Sequence, residues 1–331
     1  MMKPLSLTRR LLLAGSASTP LILPRHGQAQ TILPDKALTI LVGFAANGGS
    51  DTIARAIAPP IERRVGRHTT VSNRPGAAGA VPGGILKKDS GDGSTVAFLA
   101  STTLISKLAT ADFPFDPLTD VKAISLAGTW PIGVAVSPKL GIRTFDEYLR
   151  WLRVDDPKRL KLGSTASDVF IQAFDLMVGK TLGITFVPSP YRGTVPMTND
   201  LKDGRLPAAA SGVVSLLEQH RAGALRLLMV TSPQRLPMAP DVPTARELGY
   251  PGLEDVEWFA FFASAKMPAP LILEWNRQIR AVLADKELIA KIAQTGMTVE
   301  TSTPEEASAR VASHLDVWKR HLQEVGMPPL N

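Results

Sequence analysis

GFAANGGSD, residues Gly43 to Asp51, interrupts an apolar passage with two adjacent glycines and a cluster of small polar side chains. Before it, Leu38 to Phe44 reads as a buried strand. After it, Ser50 to Gly66 carries a helical pattern in which Pro59-Pro60 predicts a kink or break. The first amides of a helix lack intrahelical partners and form the positive end of its dipole. Glycines ahead of them let an incoming group approach the backbone. A strand, a glycine loop and a helix start therefore suit an anion or polar group, and nucleotide binders, phosphate-handling enzymes and small-acid receptors all use the arrangement. The nucleotide reading fails on spacing: the stretch is not G-x-G-x-x-G, no Lys-Ser/Thr pair follows, and Ser72-Asn73 stands where a ribose-binding acid belongs. A plain turn capped by Ser50 or Asp51 remains the structural alternative.

The rest of the chain alternates in the same way. Strands are expected at Thr69–Ser72, Thr95–Ala100, Ile132–Val136, Arg159–Gly163, Ile184–Val187, Leu206–Ala210 and Leu225–Val230. Helices are expected between them, including Phe145–Leu152 and Val169–Val178. This rhythm predicts an α/β fold with mostly parallel sheets and helices on both faces. Near the end, Thr303-Pro304-Glu305-Glu306 spells an N-cap, a first-turn proline and a capping glutamate. Ala307, Val311, Leu315, Trp318, Leu322 and Val325 then form one apolar face. His314 and His321 on that helix are read as a surface pair, because no third metal ligand accompanies them.

Composition narrows the function. The 331 residues carry a net charge of +7 and 44% hydrophobic content, with no cysteine. Four basic residues and no acid lie in the first 29 positions, so the remainder is only mildly basic and nucleic-acid binding is not expected. That opening segment has a basic start, an apolar centre from Leu11 to Leu23, and small residues Gly27 and Ala29 before a cut. It reads as a signal peptide, and Ser6 to Leu12 resembles a twin-arginine motif, with Sec export as the alternative. Export without cysteine suits a periplasmic protein free of disulfides and thiolate metal sites. The four histidines beyond the signal lie in no catalytic motif. Ala100-Ser-Thr-Thr103 and Gly163 to Asp168 read as hydrogen-bonding loops rather than nucleophiles. No cofactor or metal is called for.

GFAANGGSDTIAR resembles the VPFAAGGGxDxxAR passage of the substrate-binding receptors of tripartite tricarboxylate transporters, the Bug family. SNRPGAAGAV (72–81), GDGST (91–95), FPFDPLTD (113–120) and SPYRG (189–193) are similar to that family's ENRPGAGGxxG, PDGYT, LPYDPxxD and VPYKG. LRLLMVTSPQRLPMAPDVPTARELGYPG (225–252) and WFAFFASAKMPAP (258–270) follow its LRALAVTSxxRxPxLPDVPTxxExGxPG and WFGLLAPAGTPAP. The likeness runs from about Leu33 to the C-terminus. Departures fall in the loops: Gly43 for a proline, Asn47 for the first glycine of a triplet, and a second loop, Gly163 to Phe170, that is shorter than AGxGSxxH and lacks its histidine.

The resemblance implies a two-lobed periplasmic-binding-protein fold that closes on a small carboxylate-bearing molecule. Lobe 1 would comprise 30–131 and 255–331, and lobe 2 132–254, after a signal peptide at 1–29 cleaved near Ala29. It implies a ligand carboxylate held between two strand-to-helix loops, one from each lobe. Carried onto this sequence, the ligand-binding residues are Phe44, Asn47, Gly48, Gly49, Ser50 and Asp51 on the first loop, Ser164, Thr165, Ser167 and Asp168 on the second, and Thr102. Asp168 is either a helix cap or a charge that disfavours a second ligand carboxylate. The expected partners are a small organic acid and, transiently, an inner-membrane permease, for a monomeric non-enzyme. A chemosensory receptor of the same fold and an exported hydrolase are the alternatives.

Overall fold

The strand ahead of the glycine loop is β1, Leu38–Val42, and the loop feeds α1, Gly49–Val65, in a computed structural model that describes residues 31–165, 169–191 and 194–326. The chain continues through β2 (Thr69–Asn73), α2 (Val81–Lys88), β3 (Thr95–Ala100), α3 (Ser101–Ala109) and β4 (Val121–Val136). Next come α4 (Phe145–Leu152), β5 (Lys161–Thr165), α5 (Val169–Leu182), β6 (Val187–Tyr191), α6 (Thr194–Asp203), β7 (Ala208–Gly212), α7 (Leu217–Arg221) and β8 (Arg226–Val230). β9 (Val256–Ser264), α8 (Ala269–Leu283), α9 (Lys286–Ala293), β10 (Thr298–Val299) and α10 (Pro304–Glu324) complete it. The signal-peptide reading falls on residues outside those described.

Strands lie in the order β2-β1-β3-β9-β4-β7-β5-β6, with β8 and β10 also pairing β4. Parallel pairing occupies the flanks: β1 with β2 and β3, and β5 with β6 and β7. The centre is antiparallel, because β4 and β9 run past each other from Val121↔Ser264 to Pro131↔Val256. The sequence expectation covered only the second half of β4. Its first half pairs β9, and from Ile132 it pairs β7 and β8 instead. Pro131, which has no N–H to give a ladder, sits where the pairing changes hands. The two halves of β4 thus pair with different strands. Ile40, Phe98, Phe261 and Trp275 centre the core on one side, and Val134, Phe145, Phe174 and Leu228 the core on the other.

Three local expectations are corrected. Pro59-Pro60 neither stop nor divide α1, which continues to Val65 and ends on Gly66 in the left-handed conformation. Ile53, Ile57 and Ile61 bury their side chains, and this packing outweighs the hydrogen bonds the prolines cannot make. The strand expected at Ile184–Val187 forms instead at Val187–Tyr191, because α5 runs on to Leu182 and Ile184 N–H closes it on the Gly179 carbonyl. Pro188 and Pro190 are tolerated there because β6 is an edge strand. His314 is not on the surface. It is buried edge-on against Trp258, 5.3 Å between ring centres, and next to Trp318, and burial lowers its pKa to about 3. The Thr303 cap is as the sequence spells it: Thr303 and Glu306 exchange side-chain and backbone hydrogen bonds.

Candidate functional site

The loop between β1 and α1 is held by contacts that leave glycine no alternative at two positions. A Cβ on Gly43 would lie 2.1 Å from the Gly79 carbonyl oxygen, so the two loop backbones touch. Gly79 in turn is wedged between the Phe44 ring and the Thr103 hydroxyl, which donates to the Ala78 carbonyl. Asn47 turns the chain with φ of 64°, a left-handed conformation that asparagine tolerates better than most residues.

Asp51 braces this loop. Its buried carboxylate accepts from Asn47 N–H at 2.8 Å, from Arg55 Nε at 2.9 Å and from Asn73 Nδ2 at 2.9 Å. Asn73 Nδ2 also donates to the Phe44 carbonyl, and Arg55 donates to Asn73 Oδ1. Burial would raise the Asp51 pKa. The Arg55, Asn47 and Asn73 hydrogen bonds outweigh it, and the group titrates below the usual carboxylate range. Asp51 is therefore a fixed anion whose oxygens face the loop, and Asn73 is the strut that ties β2 to it.

The residue in the capping position is Gly48, which has no side chain, so α1 has no side-chain N-cap. The first helical bond is Thr52 N–H to the Gly48 carbonyl. The N–H groups of Gly49, Ser50 and Asp51 have no partner among the described residues. Beside them, Ala100-Ser-Thr-Thr103 is not a loop: α3 starts directly at Ser101, also without a side-chain cap. Because β1 and β3 are neighbours, two helix N-termini stand together at the carboxyl ends of parallel strands. Open α/β sheets bind ligands at that edge. Ser101 Oγ accepts from Trp258 N–H, and Thr102 is buried in the same turn.

Residues far along the chain reach this edge. A Cβ on Gly49 would meet the Trp130 ring at 2.7 Å and Val214 Cγ1 at 3.2 Å, so the glycine loop is in contact range of the segment after β7. The Glu257 carboxylate lies beside Gly212 at the end of β7, 4.0 Å from where a Cβ would be. Ser164 is buried at the end of β5. Thr165 closes that strand, and Ser167 and Asp168 lie outside the described residues. Trp130, Val214 and Glu257 are absent from the sequence-based site. The available signals were a lone acid within the apolar run of β9 and a tryptophan ahead of Pro131.

Among the described residues no group of three His, Asp or Glu side chains is placed to hold a metal. None of their helices is long and apolar enough to cross a membrane.

Residues 53–327 match the model of the tripartite tricarboxylate transporter family receptor. The chain belongs to that family. This receptor is 27% identical to the protein BugT of Bordetella pertussis strain Tohama I over 299 residues, 88% of this chain and 90% of BugT. Its fold is similar to that of the periplasmic binding protein BugD, with TM-score 0.80 and 23% identity, over 89% of this chain and 99% of BugD. An R. palustris protein solved with adipate is similar with TM-score 0.82 and 24% identity, over 90% and 99% of the two chains. The receptor thus has the two-lobed periplasmic-binding-protein fold, and its family is one of substrate-binding proteins rather than of enzymes.

Proposed function

We propose that this receptor captures a small organic acid in the periplasm and presents it to an inner-membrane permease without chemically altering it. The observation that supports this reading is the uncapped start of α1. Three amides there have no partner among the described residues, the N-terminus of α3 stands next to them, and lobe 2 approaches at Val214. A ligand carboxylate on the Gly49 and Ser50 amides satisfies groups that are otherwise left to water. Lobe closure then strengthens the interaction by excluding solvent. Phe44, Asn47 and Gly48 shape this half of the site, and Ser164, Thr165, Ser167 and Asp168 contribute from the second lobe, with Thr102 at the start of α3. Asp51 acts through the loop it braces. The lobe boundaries we adopt are 131/132 and 254/255, where β4 changes partners and just before β9 begins. We read residues 1–29 as a signal peptide and the mature protein as a monomer.

The test is a thermal-shift screen of the mature protein, beginning at Gln30, against mono-, di- and aromatic carboxylates, amides and amino acids. A ligand is expected to raise the melting temperature with concentration and to be recovered unchanged. Turnover of the ligand would replace the receptor reading with the hydrolase one. Asp168→Asn is expected to raise affinity for dicarboxylates relative to monocarboxylates, and an unchanged preference would leave Asp168 as a helix cap.

A further inference from the structure

Lobe 2 contains a cavity of about 500 Å³ between α5 and the strands β5 and β6. Leu162 and Pro188 face it from the strands, Leu176 and Gly179 from the helix, and Ile184 and Phe186 from the connection between helix and strand. Protein interiors seldom keep voids much larger than a water molecule, whereas small-molecule sites span roughly 300–1,000 Å³ with mainly apolar walls. This cavity has the size and character of a site.

Its polar groups are sorted by position along α5. Ser164, Gln172 and Asp175 line the end nearer the cleft. Lys180 stands at the opposite end, five residues beyond Asp175 and so about 7.5 Å further along the helix. There a smaller hollow of about 220 Å³ shares Gly183 and Ile184 with the cavity and is also lined by Arg153, from the end of α4. Neither Lys180 nor Arg153 makes an ion pair among the described residues. Leu176 and Val187 leave 38% and 41% of their surfaces exposed near β6, so apolar surface continues outward from the cavity. A partner strand cannot pair regularly with β6, because Pro188 and Pro190 remove two of its donors. The shape and charge therefore favour a small molecule over a peptide.

We propose that this cavity is a second binding site, for an amphipathic organic anion. Its alkyl chain or single aromatic ring fills the apolar space between Leu162, Leu176 and Phe186. Its anionic head is held at the Gly183–Ile184 turn by Lys180 and Arg153. The site is separate from the glycine loop and does not depend on the identity of the ligand in the cleft.

Octanoate and octan-1-ol are the probes, titrated calorimetrically into the mature full chain and into the variants Leu176→Trp, Lys180→Glu and Gly49→Val. Leu176 is partly exposed, so the larger ring can enter the cavity without forcing a closed core apart. Octanoate is expected to bind the wild type, and octan-1-ol to bind more weakly for want of the charge. Leu176→Trp should abolish octanoate binding and Lys180→Glu weaken it about tenfold or more. Gly49→Val should leave it within about twofold of wild type. Absence of octanoate binding to the wild type overturns the proposal. So does binding that survives both cavity substitutions, or binding that is lost in Gly49→Val, which would move the probe to the cleft.

Discussion

Ala78 holds φ of 52° and ψ of 35°, a left-handed conformation in which its Cβ is unfavourable, in the turn that supports Gly43 and Phe44. Glycine adopts it freely, at the cost of more conformational freedom in the unfolded chain. Ala78→Gly should therefore stabilise the protein by about 0.5–1 kcal/mol, read as a higher denaturant midpoint with an unchanged slope. His314 sets a pH dependence of opposite origin. Desolvation, with Arg310 and His321 nearby, lowers its folded-state pKa to about 3 from the ordinary 6.5. The unfolded chain takes up the proton first, so this contribution is fully present above pH 6.5 and is lost as pH falls toward 3. Roughly 2–3 kcal/mol should disappear between pH 6.5 and 4.5 from this group alone. His314→Phe, which keeps the aromatic contact with Trp258 and Trp318, should flatten that part of the stability profile. Equal slopes in the two proteins would place the acid sensitivity elsewhere.

At the scale of elements, the decisive feature is a helix that begins without a cap. Asp51 occupies the third helical position and turns its carboxylate onto Asn47, Arg55 and Asn73, and Gly48 in the capping position has no side chain to offer the first-turn amides. The two loop glycines should then differ in their response to substitution. A side chain on Gly49 collides with Trp130 and approaches Val214, whereas one on Gly48 meets only the Ala45 carbonyl, at 3.3 Å. Gly49→Val should abolish ligand-dependent thermal stabilisation, and Gly48→Ala should retain it with affinity reduced by less than about tenfold. Measuring both variants with any hit from the carboxylate screen checks the assignment. Loss of binding in neither would take the ligand away from this loop. The glycine loop and α1 are legible in the sequence, since strand, glycines and helix start follow in order. The direct start of α3 is less so, because Ser101 to Thr103 have turn-forming side chains that are buried by packing rather than spent on a loop.

The whole molecule turns on two antiparallel strands. β4 pairs β9 through its first half and β7 and β8 through its second, which is where we place the boundary between the lobes. A ligand that contacts both lobes should favour the closed arrangement by the difference in its affinity for the two states. Small-angle scattering of the mature protein should show a smaller radius of gyration at saturating ligand than without ligand. An unchanged profile would argue for binding to a preformed cleft without lobe movement.

Residues near one another in the chain were enough to specify the strand–loop–helix units, the Thr303 cap and the ordered motifs that identify the family. Local hydrogen bonding and apolar periodicity dictate those features wherever the chain goes. Tertiary structure decided what depends on distant partners. Pro59-Pro60 stay helical because the core holds Ile57 and Ile61 on either side of them. β6 forms where β5 offers hydrogen bonds, and His314 loses its charge because Trp258 arrives from another strand. Trp130 and Val214 meet the glycine loop, and Glu257 comes beside Gly212, only once β4 has paired with β7 and β9. Their sequence separations carry no period, so the burial and contact that place them at the site arise only in the folded chain.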